Sequence, residues 1–252
     1  MGRKSLSDEA GPPLVLGHRG AAARVAENTL ASFQAALEAG ADGIETDVRL
    51  TADGVAVLVH DADLARTTDG SGLVHQLTLE ELRHADTGAG PIPTLAEALA
   101  LVAGHGAGMA LEVKNLPGDP GYDPAHEGAV DALLQEVEAF PDLPVLVVSF
   151  NPRSIERCRG RGVETGFIST AAMDPRVALR YAKEAGHGWV WPNVGAVQAS
   201  GPRLMEEVHA AGLRIAVWTV DDPADVATLL GWGLDAVVTN VPDLAVAVRA
   251  DA

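Results

Sequence analysis

The sequence predicts an α/β protein, a single (β/α)8 TIM barrel with a short hairpin extension after the second strand. Three observations predict it. Short runs rich in Val, Ile and Leu alternate with amphipathic stretches from end to end, as expected of parallel strands buried on both faces with helices between them. There are eight such runs, and no second zone of composition interrupts them. The length, 252 residues, and a hydrophobic content of 47% suit one closed barrel with one large core. An open doubly wound sheet is the alternative, and the lack of a Gly-x-Gly-x-x-Gly after a strand counts against it.

The strands are expected at 14–17, 43–48, 109–113, 145–149, 164–168, 188–191, 214–218 and 235–239. Residues 48–50 and 55–59 flank Asp53-Gly54, a strong hairpin turn signal, so 55–59 reads as a hairpin return rather than a barrel strand. Helices are expected over 29–39, 175–185 and 202–211, stopped by Gly40, Gly186 and Gly212. Thr78 with Glu81 and Thr94 with Glu97 form capping boxes. Asn151, Asp174 and Asp222 each cap a helix whose first turn carries a proline. The longest irregular stretches, 60–77 and 115–126, both follow strands, where a barrel builds its active site. The barrel domain is read as 14–252, after a flexible segment over 1–13.

Charge excludes some partners. Against 35 acidic residues there are 18 Lys and Arg, a net charge of -17. That field repels nucleic acid and anionic membrane surfaces. No apolar run reaches the length of a membrane span, so stable membrane insertion is not expected, and no apolar run follows the basic N-terminus as a secretory signal would require. Cys158 is the one cysteine, which suits a reducing, cytoplasmic setting; it reads as a bystander thiol.

The residues able to do chemistry gather at the C-terminal ends of three successive barrel strands. The first ends in His18-Arg19-Gly20, the second in Glu45-Thr46-Asp47, the third in Glu112-Val113-Lys114. Glu45 and Asp47 are two apart on a strand and share a face, here the barrel interior. Two close carboxylates repel unless one takes a proton or a cation lies between them. With Glu112 as a third acid, the all-oxygen set suits one hard divalent cation, Mg2+ or Ca2+. The Asp53-Gly54 turn brings His60 back level with residues 45–47. His18 and His60 thus flank the acids as a general acid and base. Arg19 is placed to grip phosphate oxygens and Lys114 to neutralise charge in a transition state, and both would also pair with the acids. Trp218, like Trp191 and Phe150, reads either as core or as an apolar wall for substrate. The set favours phosphate-ester hydrolysis over glycoside hydrolysis, which needs a carboxylate pair but no such cations and imidazoles.

At these residues the sequence resembles the glycerophosphodiester phosphodiesterase family. The resemblance runs through His18-Arg19-Gly20, Glu27-Asn28-Thr29, Asp42-Gly43-Ile44-Glu45-Thr46-Asp47, His60-Asp61 with Arg66, Leu111-Glu112-Val113-Lys114, Ser149-Phe150, Trp218-Thr219 and Asp235-Ala236-Val237-Val238-Thr239. It implies a TIM barrel in which Glu45, Asp47 and Glu112 hold one Mg2+ or Ca2+. His18 and His60 would be the acid–base pair, Arg19 would hold phosphate and Lys114 would assist. The implied reaction splits a small-molecule glycerophosphodiester into an alcohol and sn-glycerol 3-phosphate. A route often considered uses the glycerol 2-hydroxyl as internal nucleophile and a cyclic phosphate that water opens. Two positions depart from the pattern: Ala26 where proline is common, and Asn240 where aspartate is common. The competing readings are a lysophospholipase D-like enzyme and a non-catalytic glycerophosphodiester-binding barrel.

Overall fold

A computed structural model describes residues 5–6 and 11–251. Its strands are β1 (Leu14–His18), β2 (Gly43–Leu50), β3 (Ala56–Leu58), β4 (Gly108–Val113), β5 (Val145–Ser149), β6 (Glu164–Ser169), β7 (Trp189–Pro192), β8 (Arg214–Val217) and β9 (Ala236–Thr239). The sheet order is β1-β9-β8-β7-β6-β5-β4-β2-β3, and a β1–β2 pairing closes the eight parallel strands into a barrel. β3 alone is antiparallel, hydrogen-bonded to the end of β2. β2 runs two residues beyond its expected end because Arg49 and Leu50 continue past the barrel wall to pair with Val57 and Ala56, while Val48 pairs with both Leu58 of β3 and Val113 of β4.

The helices start where the caps predict. Both capping boxes form, and Asn151, Asp174 and Asp222 each accept a backbone N–H of the first turn. A helix over Val194–Ser200, capped by Asn193, was not expected from the pattern. The stretch 60–77 is not a plain loop: it carries two 3-10 turns, Leu64–Arg66 and Val74–Gln76. Leu64 and Val74 pack with Val57, Leu82 and Ile92 in a small satellite core beside the β2–β3 hairpin.

The barrel interior is filled rather than hollow. Trp189 and Trp191 of β7 lie in one cluster with Leu16, Ala110, Leu146, Ala216 and Ala236. Large side chains on one strand are accommodated by small ones on others, and each such burial contributes roughly 1.5–3 kcal/mol. Gly166, the register partner of Trp189, is one such place: a Cβ there would lie 2.8 Å from the Trp189 Cβ. Of the segment read as flexible, residues 1–4 and 7–10 lie outside the described residues. Leu6 is buried in the interior cluster, and its N–H donates to Glu164 Oε2 at 2.8 Å. Leu6 thus plugs the lower end of the barrel interior.

Candidate metal and acid–base site

The site begins where β1 ends. His18 is the register partner of Glu45 on β2. The chain then turns sharply: Arg19 adopts φ 53 and Gly20 φ 90. A Cβ on Gly20 would lie 2.3 Å from Ser32 Oγ, so glycine is required for the first helix (Leu30–Glu38) to pack this close. The turn is fixed by Arg19 N–H donating to the Glu45 carbonyl at 2.8 Å.

Three acids meet beside it. Glu45 and Asp47 are two apart on β2, and Asp47 is the register partner of Glu112 on β4. All three are buried, and one carboxylate oxygen from each lies within 4.8 Å of the others. Burial, with Asp47 close by, pushes the Glu45 carboxyl up to about 8, and burial pushes Glu112 up to about 7 against the pull of Lys114. Burial also works on Asp47, but Lys114 and Arg19 outweigh it and hold that carboxyl well below the usual range. Asp47 is the anion the site stabilises outright. The other two become good anions only when more positive charge arrives.

The expected cations are in place. Lys114 Nζ lies 3.0 Å from Asp47 Oδ1 and 2.5 Å from Glu112 Oε1. Arg19 Nε lies 2.9 Å from Asp47 Oδ2 and its Nη1 donates to Glu27 Oε1 at 2.9 Å. Asp47 Oδ1 and Glu112 Oε1 are fully buried and take these contacts without hydrogen-bond geometry. Three buried carboxylates whose oxygens lie within 4.8 Å of one another form an all-oxygen donor set that fits a hard divalent cation.

His60 arrives on the hairpin. Val59 N–H donates to the Asp47 carbonyl at 3.1 Å, so the next residue stands level with the acids. Its Nδ1 meets Asp61 Oδ1 at 2.6 Å; a carboxylate only accepts, so Nδ1 carries the proton and Nε2 is left free. Asp61 pairs with Arg66, and Arg66 reaches both oxygens of Glu27 at 3.0 and 2.8 Å. One chain of ion pairs thus joins His60 to Arg19. His18 approaches from the other side, its Nε2 3.9 Å from Glu45 Oε2. Burial lowers both imidazoles below the usual histidine range, aided by Arg19 at His18 and by Lys114 at His60.

Residues His18, Arg19, Glu45, His60, Glu112 and Lys114 line one side of a single cleft, and Phe150, Ile168, Trp191, Trp218 and Val238 line the other. Trp218 packs edge-on to Phe150, ring centroids 5.6 Å apart, and its Nε1 donates to the Trp191 carbonyl at 3.0 Å. Trp191 is both things the sequence allowed, a cleft residue and a buried core residue. Cys158 is buried away from the cleft with its thiol pushed up to about 12 by burial, an inert group.

Four side chains that the sequence reading gave no part in the site support it, although Asn28 and Asn240 lie in blocks it singled out. Asn28 is buried, donates to Asp47 Oδ2 at 2.9 Å and accepts from Thr46 Oγ1 at 2.7 Å. Arg49, next on the same face of β2 after Glu45 and Asp47, donates to the carbonyls of His60 and Lys114 and pairs with Asp119. Asn240 meets His18 Nδ1, and Asp221 backs Asn240. The period-two alternation of Glu45, Asp47 and Arg49 was the one available signal for Arg49. The others are placed by loops, whose course no local pattern gives.

Comparison with known proteins identifies the family and supports the fold. The profile of the glycerophosphoryl diester phosphodiesterase family matches residues 18–244. A glycerophosphodiester phosphodiesterase of Caldanaerobacter subterraneus is 32% identical over 243 residues, 91% of this chain and 95% of the relative. One of Bacillus altitudinis is 32% identical over 248 residues, 93% and 97% of the two chains. Among solved structures, a phosphodiesterase of Oleispira antarctica in complex with the product sn-glycerol-3-phosphate superposes with a TM-score of 0.83 at 28% identity, covering 96% of this chain and 98% of that one.

Proposed function

Because the chain belongs to the glycerophosphoryl diester phosphodiesterase family and is a glycerophosphodiester phosphodiesterase, we propose that its reaction depends on one divalent cation, Mg2+ or Ca2+, and on His18 and His60 as the acid–base pair. The products are then an alcohol and sn-glycerol 3-phosphate, the product held by the Oleispira antarctica relative. The observation that carries this reading is the convergence of Glu45, Asp47 and Glu112 within 4.8 Å, in a cleft that both histidines line.

Glu45, Asp47 and Glu112 would hold the cation, which when bound supplies positive charge to the phosphate oxygens. The chain's own groups do the rest. Whichever hydroxyl attacks phosphorus, water or the glycerol 2-hydroxyl, must lose a proton, and the departing oxygen must gain one. His18 and His60 keep Nε2 for these transfers, because each Nδ1 is engaged outside the cleft, by Asn240 and Asp61. Both imidazoles sit below their usual range, so near neutral pH one can take the proton of the attacking hydroxyl, while the one that serves the departing oxygen must first be protonated in order to give a proton up. Arg19 and Lys114 offset charge that gathers on the phosphoryl oxygens. A single cysteine, Cys158, suits a cytoplasmic setting; among the described residues no helix is long and apolar enough to cross a membrane.

The apolar half of the cleft favours one second reading, lysophospholipase D-like action on a substrate with an acyl chain. One panel tests both. Purified protein with Mg2+ or Ca2+ should release sn-glycerol 3-phosphate from glycerophosphocholine, lose activity with EDTA, and turn over lysophospholipid more slowly. His18→Ala and His60→Ala should each lower turnover by about 10²–10⁴-fold. Folded variants with undiminished activity would remove the acid–base assignment.

A further inference from the structure

His18 Nδ1 lies 2.7 Å from Asn240 Oδ1. Asn240 Nδ2 in turn donates to Asp221 Oδ2 at 2.7 Å, and the Asn240 backbone N–H donates to Asp221 Oδ1 at 2.8 Å. Thr239 Oγ1 adds a third hydrogen bond to Asp221, at 3.1 Å. Asp221 follows β8 and Asn240 follows β9, so two neighbouring strand ends hold the pair together.

The direction of each bond follows from which atoms can donate. A carboxylate only accepts, so it is the amide NH2 of Asn240 that faces Asp221. The amide oxygen is thereby turned to the imidazole. That oxygen also only accepts, so His18 Nδ1 must carry the ring proton and Nε2 the lone pair. An amide turned the other way would set its NH2 against Nδ1 and its oxygen against the carboxylate oxygen, two acceptors face to face. We propose that Asp221, which does not touch the imidazole, is a positioning residue: acting through Asn240, it fixes His18 as the Nδ1–H tautomer with Nε2 open toward the cleft. The functional weight of this relay rests on the reading of His18 as an acid–base group.

The relay differs in kind from the support of His60. There Asp61 touches the ring directly and brings a negative charge. At His18 the contact is a neutral amide, and the carboxylate acts one residue away. The polarity of the amide, not charge against the ring, carries the information.

An isosteric change can reverse that polarity. In Asp221→Asn, Oδ1 of residue 221 still accepts from Asn240 N–H and Thr239 Oγ1. Its new NH2 faces Asn240, which must turn its oxygen inward and its NH2 toward His18. Nδ1 then becomes an acceptor and the proton moves to Nε2. Two-bond 1H–15N spectra of metal-free protein labelled in histidine read this directly, with the His18 signals identified by their loss in His18→Gln. The wild type should show Nδ1–H and Asp221→Asn should show Nε2–H. Turnover should fall by about 10²-fold or more with KM little changed, as expected for a general base held in the wrong tautomer. Asp221→Asn combined with Asn240→Asp restores an acceptor at Nδ1 and should recover the Nδ1–H spectrum. Nδ1–H retained in Asp221→Asn overturns the proposal. So does Nε2–H in the wild type, a result that needs no variant to fold. An inverted tautomer with unchanged turnover would uphold the relay and sink the acid–base reading of His18 instead.

Discussion

The two sides of the cleft are built by opposite rules. On the side of β1, β2 and β4 nearly every facing group is ionisable, wholly or largely buried, and tied to its neighbours: Asp47 alone is reached by Asn28, Arg19 and Lys114. On the side of β5 to β9, Phe150, Ile168, Trp191, Trp218 and Val238 offer apolar surface. The charged side is over-determined. Removing one group strands another charge in a place without water, which is worse than never having buried the pair. The apolar side is held by packing, where a change of similar volume is tolerated. Sensitivity to substitution should therefore fall steeply from one wall to the other.

The largest effect is expected at the hub. Asp47→Asn keeps the shape but leaves Arg19 and Lys114 facing a neutral amide. Breaking a buried pair costs about 3–5 kcal/mol, and loss of a charge at a reacting centre lowers turnover by about 10³-fold. Thermal unfolding and steady-state assays measure both. A variant with wild-type melting and turnover would show that the charged wall is not over-determined.

One step outward the effect should be smaller. Asn28→Ala removes the amide that orients Asp47 and anchors Thr46. Loss of such an outer partner weakens metal binding by about 10–100-fold. Titration calorimetry with Mg2+ and Ca2+ tests this, and unchanged affinity would mean that β2 alone positions Asp47.

The charged wall also makes a prediction about pH. Glu45 and Glu112 are raised from 4.5 to about 8 and about 7, so they hold protons more tightly folded than unfolded. Their stabilisation is complete below the unfolded value and is lost as pH rises through the folded values. Asp47, shifted the other way, is ionised in both states across this range, and the lowered histidines are neutral in both above about pH 7.5. Chelated protein should therefore melt at lower temperature at about pH 8.5 than at about pH 7. Saturating Mg2+ or Ca2+, which binds the ionised carboxylates, should remove that decline. A decline that persists with metal bound would place the ion away from these acids.

The same contrast explains what the sequence could disclose. Glu45, Asp47 and Glu112 stand out because a charge inside an apolar strand is an anomaly, and strand periodicity then says which way it points. His60 was placed by one turn, Asp53-Gly54, whose geometry sets the register of β3 on β2. Phe150, Ile168 and Val238 are apolar residues in apolar strands, so nothing marks the ones that open to a cleft. Asp221 and Asn240 act across 19 residues of chain, and Asn28 reaches Asp47 from a loop. Such contacts exist only once the barrel closes, and no spacing in the sequence encodes them.

The smallest effect is expected on the apolar wall, where the contrast is easiest to break. Trp218→Phe keeps an aromatic ring against Phe150 but loses the hydrogen bond to the Trp191 carbonyl and part of the surface offered to substrate. If the wall only shapes and desolvates the pocket, its contacts are alike in ground and transition states, so KM should rise and kcat should hold. An apolar contact of this kind is worth about 10-fold in KM. Steady-state kinetics on glycerophosphocholine and on a substrate with a larger alcohol measure the split, and the larger alcohol should suffer more. A fall in kcat matching that of Asn28→Ala would mean that Trp218 aligns the reacting phosphate, and the division of labour between the two walls would have to be abandoned.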